Sequence, residues 1–117
     1  MKGIGMDKMD WLQGVAAAIV VCDIEGIILY MNRQAELNFA DEGGLALISS
    51  SLLACHPEPA RSKVQELLTQ QKANIYTIEK KGIKKLIYQK PWHRDGRFAG
   101  LVEFSLEIPW EMPHFVR

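Results

Sequence analysis

The sequence predicts an α+β fold, a five-stranded antiparallel sheet with helices packed on one face. Three observations carry that expectation. Two β-branched runs, AAIVVCD and IILYMN, flank a tight turn near the start of the chain. A helix-periodic apolar pattern beginning at Ala60 occupies the middle. Strand-like segments separated by short turns complete the chain, and the last of them alternates apolar with polar residues. Strand neighbours are then hairpins apart from one long helical crossover. The resulting order, β-β-α-α-α-β-β-β, is satisfied by one antiparallel sheet under one layer of helices.

Taken in order, Asp7 to Gly14 reads as a short helix, with Asp7 in the N-cap position and Gly14 as its stop signal. Ala18–Cys22 and Ile27–Met31 form an antiparallel hairpin whose turn is bracketed by Asp23 and Gly26. Asn32 follows at once as N-cap for the helix RQAELNFA, in which Ala35, Leu37 and Phe39 supply the apolar character. Asp41, Glu42, Gly43 and Gly44 end that helix, and Leu45 to Ser51 reads as one helical turn and a loop. Pro57 and Pro59 both fit in the first turn of a helix, where a missing N–H costs little. From there Ala60, Val64, Leu67 and Leu68 build one buried face over about three turns, and Lys72 marks the end. Asn74–Lys80 and Ile83–Lys90 flank a turn at Lys81 and Gly82. The last strand, Phe98–Ile108, follows Arg94, Asp95 and Gly96. Its alternation places Phe98, Gly100, Val102, Phe104, Leu106 and Ile108 on one face, with Glu103, Ser105 and Glu107 opposite.

A chain of 117 residues is the length of one domain. It divides into an N-terminal helical segment (1–14), a folded unit (15–108) and a tail (109–117). Formal net charge is zero, with Lys and Arg spread along the chain, so no basic stripe for nucleic acid and no polybasic patch for a membrane is expected. The longest apolar run, Val15–Cys22, is too short to span a bilayer and lacks the flanks of a signal peptide. Cys22 and Cys55 are too few to build a disulfide scaffold, which makes a cytoplasmic protein with reduced thiols the expectation.

The stretch SLLACHPEPARSKVQELL sets Cys55 beside His56, directly before two prolines and the long helix. As catalysis the pair is weak, because neighbouring residues rarely turn their side chains on each other and no third group orients the base. As a metal site it lacks the paired ligand spacings, since Cys22, His93 and His114 are the only other Cys and His residues. The simpler reading places His56 at the N-cap of the long helix and makes Cys55 a small buried hydrophobe.

The segments IVVCDIEGIILYMNRQAE and DGRFAGLVEFSLEI, together with the order and lengths of the elements, resemble the PAS sensory domains. The resemblance runs from about Trp11 to Ile108, and CHPEPARSKVQELL is similar to a subgroup with a Cys-His-Pro segment before the long helix. It implies a PAS-like five-stranded antiparallel sheet whose helices close a cavity over one face. It also implies detection of haem, flavin or a small metabolite, or a role in dimerisation. With no kinase, cyclase or DNA-binding segment following, a stand-alone domain would report through a partner or a dimer contact. The prolines of PWEMPHFVR argue against a continuing signalling helix.

Under that resemblance His56 lies near where haem-binding relatives place an axial ligand, and one histidine suffices for haem. A flavin photoreceptor is disfavoured, because Cys55 is followed by His56 and Pro57 instead of the family's reactive-cysteine motif. For a small-molecule cavity, Tyr76, Tyr88 and Trp92 offer rings from the strands while Asn32, Phe39 and His56 approach from the helices. The same aromatics equally suit a core or a partner surface. Met6, Met9, Trp11 and Leu12 either cap the sheet of a second subunit or cover this chain's own sheet. The expected function is a sensory or regulatory domain that binds a small ligand or a protein partner and forms a homodimer, without catalysis. The alternatives are a small cofactor-free enzyme using Cys55 and His56, or a haem-binding sensor through His56. The identity of any cofactor stays open.

Overall fold

A computed structural model describes residues 10–117, with the backbone alone at Cys55. The Asp7 cap, Met6, Met9 and the packing of Cys55 fall outside what is described. In chain order the elements are α1 (Asp10–Gly14), β1 (Ala17–Cys22), β2 (Ile28–Met31), α2 (Arg33–Asn38), two 3-10 turns (Ala40–Glu42 and Gly44–Leu47), α3 (Leu52–Cys55), α4 (Ala60–Gln70), β3 (Asn74–Lys80), β4 (Ile83–Arg94) and β5 (Arg97–Ile108). The strands form one five-stranded sheet in the order β2-β1-β5-β4-β3, and every pairing is antiparallel.

Local chemistry explains the turns. Asp23 Oδ1 accepts from the backbone N–H of Glu25 and of Ile27, each at 2.9 Å, while Gly26 takes a φ of 83°. Two more hairpins turn through Lys81–Gly82 and Asp95–Gly96, all four residues having positive φ. That is the geometry of two-residue turns whose twist matches the strands.

Four expectations are corrected. The helix after Asn32 stops at Asn38 and continues as a 3-10 turn, not as an α-helix to Ala40. The long helix starts at Ala60, leaving Pro57 outside it and Pro59 as N-cap. A residue before proline is pushed out of the helical region, so neither His56 nor Glu58 could continue into a helix across its proline. His56 is accordingly extended (φ −108°, ψ 121°) and ends α3, whose N-cap is Ser51; it does not cap the long helix. Strand β4 runs past Lys90 to Arg94 and contains Pro91. Pairing with β3 ends at Gln89, so Pro91 sits where that side of β4 has no ladder partner and its missing N–H leaves nothing unpaired.

The fourth concerns β5. Gly100 adopts φ +144°, and a Cβ there would lie 1.9 Å from the Cys22 carbonyl oxygen. This close approach breaks the alternation, and Phe98 packs with Leu101 and Cys22 against α4 instead of sharing the face of Val102. Beyond Gly100 the alternation holds. Registers place Leu101, Glu103 and Ser105 on the same side as Cys22, Val20 and Ala18, the side on which the helices lie. Val102, Phe104, Leu106 and Ile108 therefore face outward, with Ile19, Leu86 and Tyr88.

Candidate functional site

Two clusters fill the helical side of the sheet. Ala18, Val20, Ile28, Met31 and Ala35 form one, and Cys22, Val64, Leu67, Leu68 and Leu101 the other. Between them lies a small cavity bordered by Val20, Met31, Phe39, Leu47, Leu52 and His56, with Gln89 and Glu103 as its polar wall. Its volume is about 40 Å³. That is room for a water or two, far below the ~300–1,000 Å³ of small-molecule sites.

The polar wall is a chain of side chains crossing three strands. Asn74 Nδ2 donates to Gln89 Oε1 at 2.9 Å, and Gln89 Nε2 donates to Glu103 Oε1 at 2.7 Å. The Glu103 carboxylate thus lies on the helix side of the sheet, held by an amide. His56 comes from the end of α3, and its Nδ1 donates to the Leu52 carbonyl at 2.7 Å. That bond fixes the ring across α3 and places the proton of the neutral imidazole on Nδ1.

Of the residues expected to bind a ligand, the structure brings Phe39 and His56 to the cavity. Asn32 is fully buried but turned away from it. Its Oδ1 accepts from Ile19 N at 2.9 Å and Ala35 N at 3.0 Å, and its Nδ2 donates to the Leu12 and Ala17 carbonyls at 2.8 Å each. All its hydrogen-bonding positions facing these partners are used by backbone, which makes it a clasp joining α1, β1 and α2. Tyr88 lies on the outer face in an edge-to-face contact with Phe104 (6.3 Å). Trp92 Nε1 donates to the Cys22 carbonyl at 2.9 Å, pinning β4 across Gly100 to β1. Tyr76 is 42% exposed on β3. Burial, with the nearby Glu103 charge, raises its phenol above the ordinary value.

Sequence reasoning missed Gln89 and Glu103. The signal was present in the period-two pattern, which set Glu103 opposite the apolar stripe of β5. An apolar stripe normally faces the helices, and here it faces away. Elsewhere, Cys22 is 1% exposed, and burial raises its thiol above the ordinary value. Among the described residues no group of Cys, His, Asp and Glu is arranged to hold a metal ion, and no helix is long and apolar enough to cross a membrane.

No protein-family model and no curated protein matches the sequence. Solved structures do match. A PAS domain from Colwellia psychrerythraea shares 21% identity at a TM-score of 0.59, covering 86% of this chain and 93% of that one. The Aer2 receptor from Vibrio cholerae, a dual PAS-heme oxygen sensor, shares 20% at 0.55, covering 84% and 99%. A PAS domain of an HTR-like protein from Haloarcula marismortui shares 16% at 0.57, covering 84% and 86%. This chain has the PAS fold.

Proposed function

We propose that the protein is a sensory or regulatory module that acts by binding and works as a homodimer through the outer face of its sheet. The observation that carries this reading is the orientation of β5. Its apolar residues Val102, Phe104, Leu106 and Ile108 point away from the helices and join Leu86 and Tyr88 in one outward patch. Contiguous apolar patches of this kind are association surfaces, and a twofold contact buries the same patch on both copies. Trp11 on α1 is 54% exposed, a further apolar side chain open to a partner. α1 itself is tied to the rim of the sheet, because Gln13 donates to the Tyr30 hydroxyl at 2.9 Å and accepts from Arg33 N at 2.8 Å.

The inner cavity supports ligand sensing only through enlargement, since about 40 Å³ holds no metabolite. A porphyrin does not fit this conformation either, although His56 borders the cavity. Catalysis by Cys55 and His56 draws no support from His56, whose Nδ1 is committed to the Leu52 carbonyl.

The test is the solution mass by light scattering at micromolar concentration, for the wild type, Leu106→Glu and a chain lacking residues 1–13. The wild type is expected to be a dimer, Leu106→Glu a folded monomer, and the truncated chain a smaller species. A monomeric wild type, or a Leu106→Glu protein that keeps the wild-type mass, refutes the outer-face dimer.

A further inference from the structure

On the helical side of the sheet, cover is incomplete. Helix α2 packs on β1 and α4 on β5. The hairpin of β3 and β4 projects beyond them, leaving Ile78 36% and Ile83 37% exposed on that side. An open groove of about 440 Å³ results, within the ~300–1,000 Å³ of small-molecule sites. Ile78, Ile83 and Ile87 make its floor and Phe39 its wall. Lys80, Lys81 and Lys85 rim the hairpin end.

We infer that this groove is a binding site for an apolar anion: an alkyl or similar apolar body carrying one carboxylate. The charges select the sign. Three lysines converge on one end of the groove, and among the described residues no ion pair engages any of them. Glu107 stands in register with Lys85 on the same side of the sheet without pairing to it. The one carboxylate lining the groove, Glu103, borders its inner end and is already held by the Gln89 amide. A cation would meet the repulsion of three lysines, and a neutral molecule would leave them unused.

Register supplies the length. Along β4 the groove is lined by Ile83, Lys85 and Ile87, and Ile83 and Lys85 pair with Lys80 and Ile78 of β3. At ~3.3 Å per residue, Ile83 and Ile87 lie ~13 Å apart. A carboxylate among the lysines therefore lets a medium-length alkyl chain run over Ile78 and Ile87 toward Ser105. Phe39 and Glu103 border both this groove and the inner cavity, so the bound chain would end against the wall separating them.

The experiment titrates the full chain with sodium decanoate below its micelle-forming concentration, by calorimetry and amide chemical shifts. Decanol and decylammonium serve as comparators, and the doubly substituted Lys80→Gln, Lys85→Gln protein as the variant. Among the described residues these lysine side chains make no ion pair, and both reach solvent, so the variant should unfold as the wild type does. Decanoate is expected to bind, with shifts at Ile78, Ile83 and Ile87, and about tenfold more weakly to the variant or in high salt. Decanol binding as tightly as decanoate, or a variant of unchanged affinity, overturns the proposal. So do shifts confined to Leu52, Val64 and Leu101 in the cavity. Docking of an acidic, apolar peptide in place of decanoate would make the groove a protein surface and equally overturn it. None of these outcomes depends on whether the outer face dimerises.

Discussion

Substituting Asn32 by aspartate separates two roles that the sequence alone runs together. As an N-cap, Asn and Asp are near equals, so Asn32→Asp would leave stability unchanged and Asn32→Ala would cost about 1 kcal/mol. The structure predicts otherwise. Oδ1 serves the N–H groups of Ala35 and Ile19, and aspartate preserves both bonds. Nδ2, however, donates to the Leu12 and Ala17 carbonyls at 2.8 Å, and in aspartate an oxygen replaces it. Two hydrogen bonds are lost at about 1 kcal/mol each, and a carboxylate at a fully buried site is left facing two carbonyl oxygens. The expected cost is about 3 kcal/mol for Asn32→Asp, and about 4 kcal/mol for Asn32→Ala, which forfeits every bond. Urea unfolding followed by circular dichroism, with a shared slope, measures both. If Asn32→Asp falls within about 0.5 kcal/mol of the wild type, Asn32 is a cap and not a clasp.

Two further perturbations probe the meeting of β1, β4 and β5. Gly100→Ala places a Cβ 1.9 Å from the Cys22 carbonyl oxygen at a backbone angle that disfavours side chains, so about 3 kcal/mol or more should be lost. A soluble Gly100→Ala protein with wild-type melting behaviour would disprove that approach. Cys22 should resist thiol reagents at neutral pH until the protein unfolds, since burial holds its pKa above the ordinary 9.0. The linkage has a definite sign. The unfolded chain releases this proton first, so the contribution is intact below about pH 9 and lost as the pH rises through the folded value. Tyr76, raised above 10.0, adds a dependence of the same sign at higher pH. Cys22→Ala should therefore show a shallower loss of stability than the wild type between about pH 8 and pH 10, and parallel curves would contradict the linkage.

Much of the candidate site rests on elements whose chemistry is local, and these were legible. The Asp23 turn, the positive-φ hairpin turns and the cap at Asn32 depend on residues within a few positions of one another. The apolar face of α4 was legible too, because Val64, Leu67 and Leu68 recur at helical spacing and all three are buried. Phe39 and His56 do reach the cavity, although His56 does so from the end of α3 and not from a helix start. Pro59 misled for a reason that is itself local. The restriction a proline places on its predecessor outweighed the tolerance of prolines in a first turn.

From the chain alone come the strands, the hairpins, the long helix and the alternation of β5, since each is written in neighbouring residues. The packing of one element on another settled the rest. Strand β5 joins β1 across more than eighty residues, and no local pattern announces that pairing, as Ala17 opposite Leu106 shows. Period two separates Glu103 from Phe104 but does not say which of them meets the helices. That choice follows from the pairing with β1, where Val20 must turn toward Met31 and Ala35 and carries Glu103 with it. The same constraint turns Phe104 and Leu106 to the outer face of the sheet, and leaves Lys80 and Lys85 beside exposed Ile78 and Ile83. Burial is a property of which faces meet, and a sequence records only that faces exist.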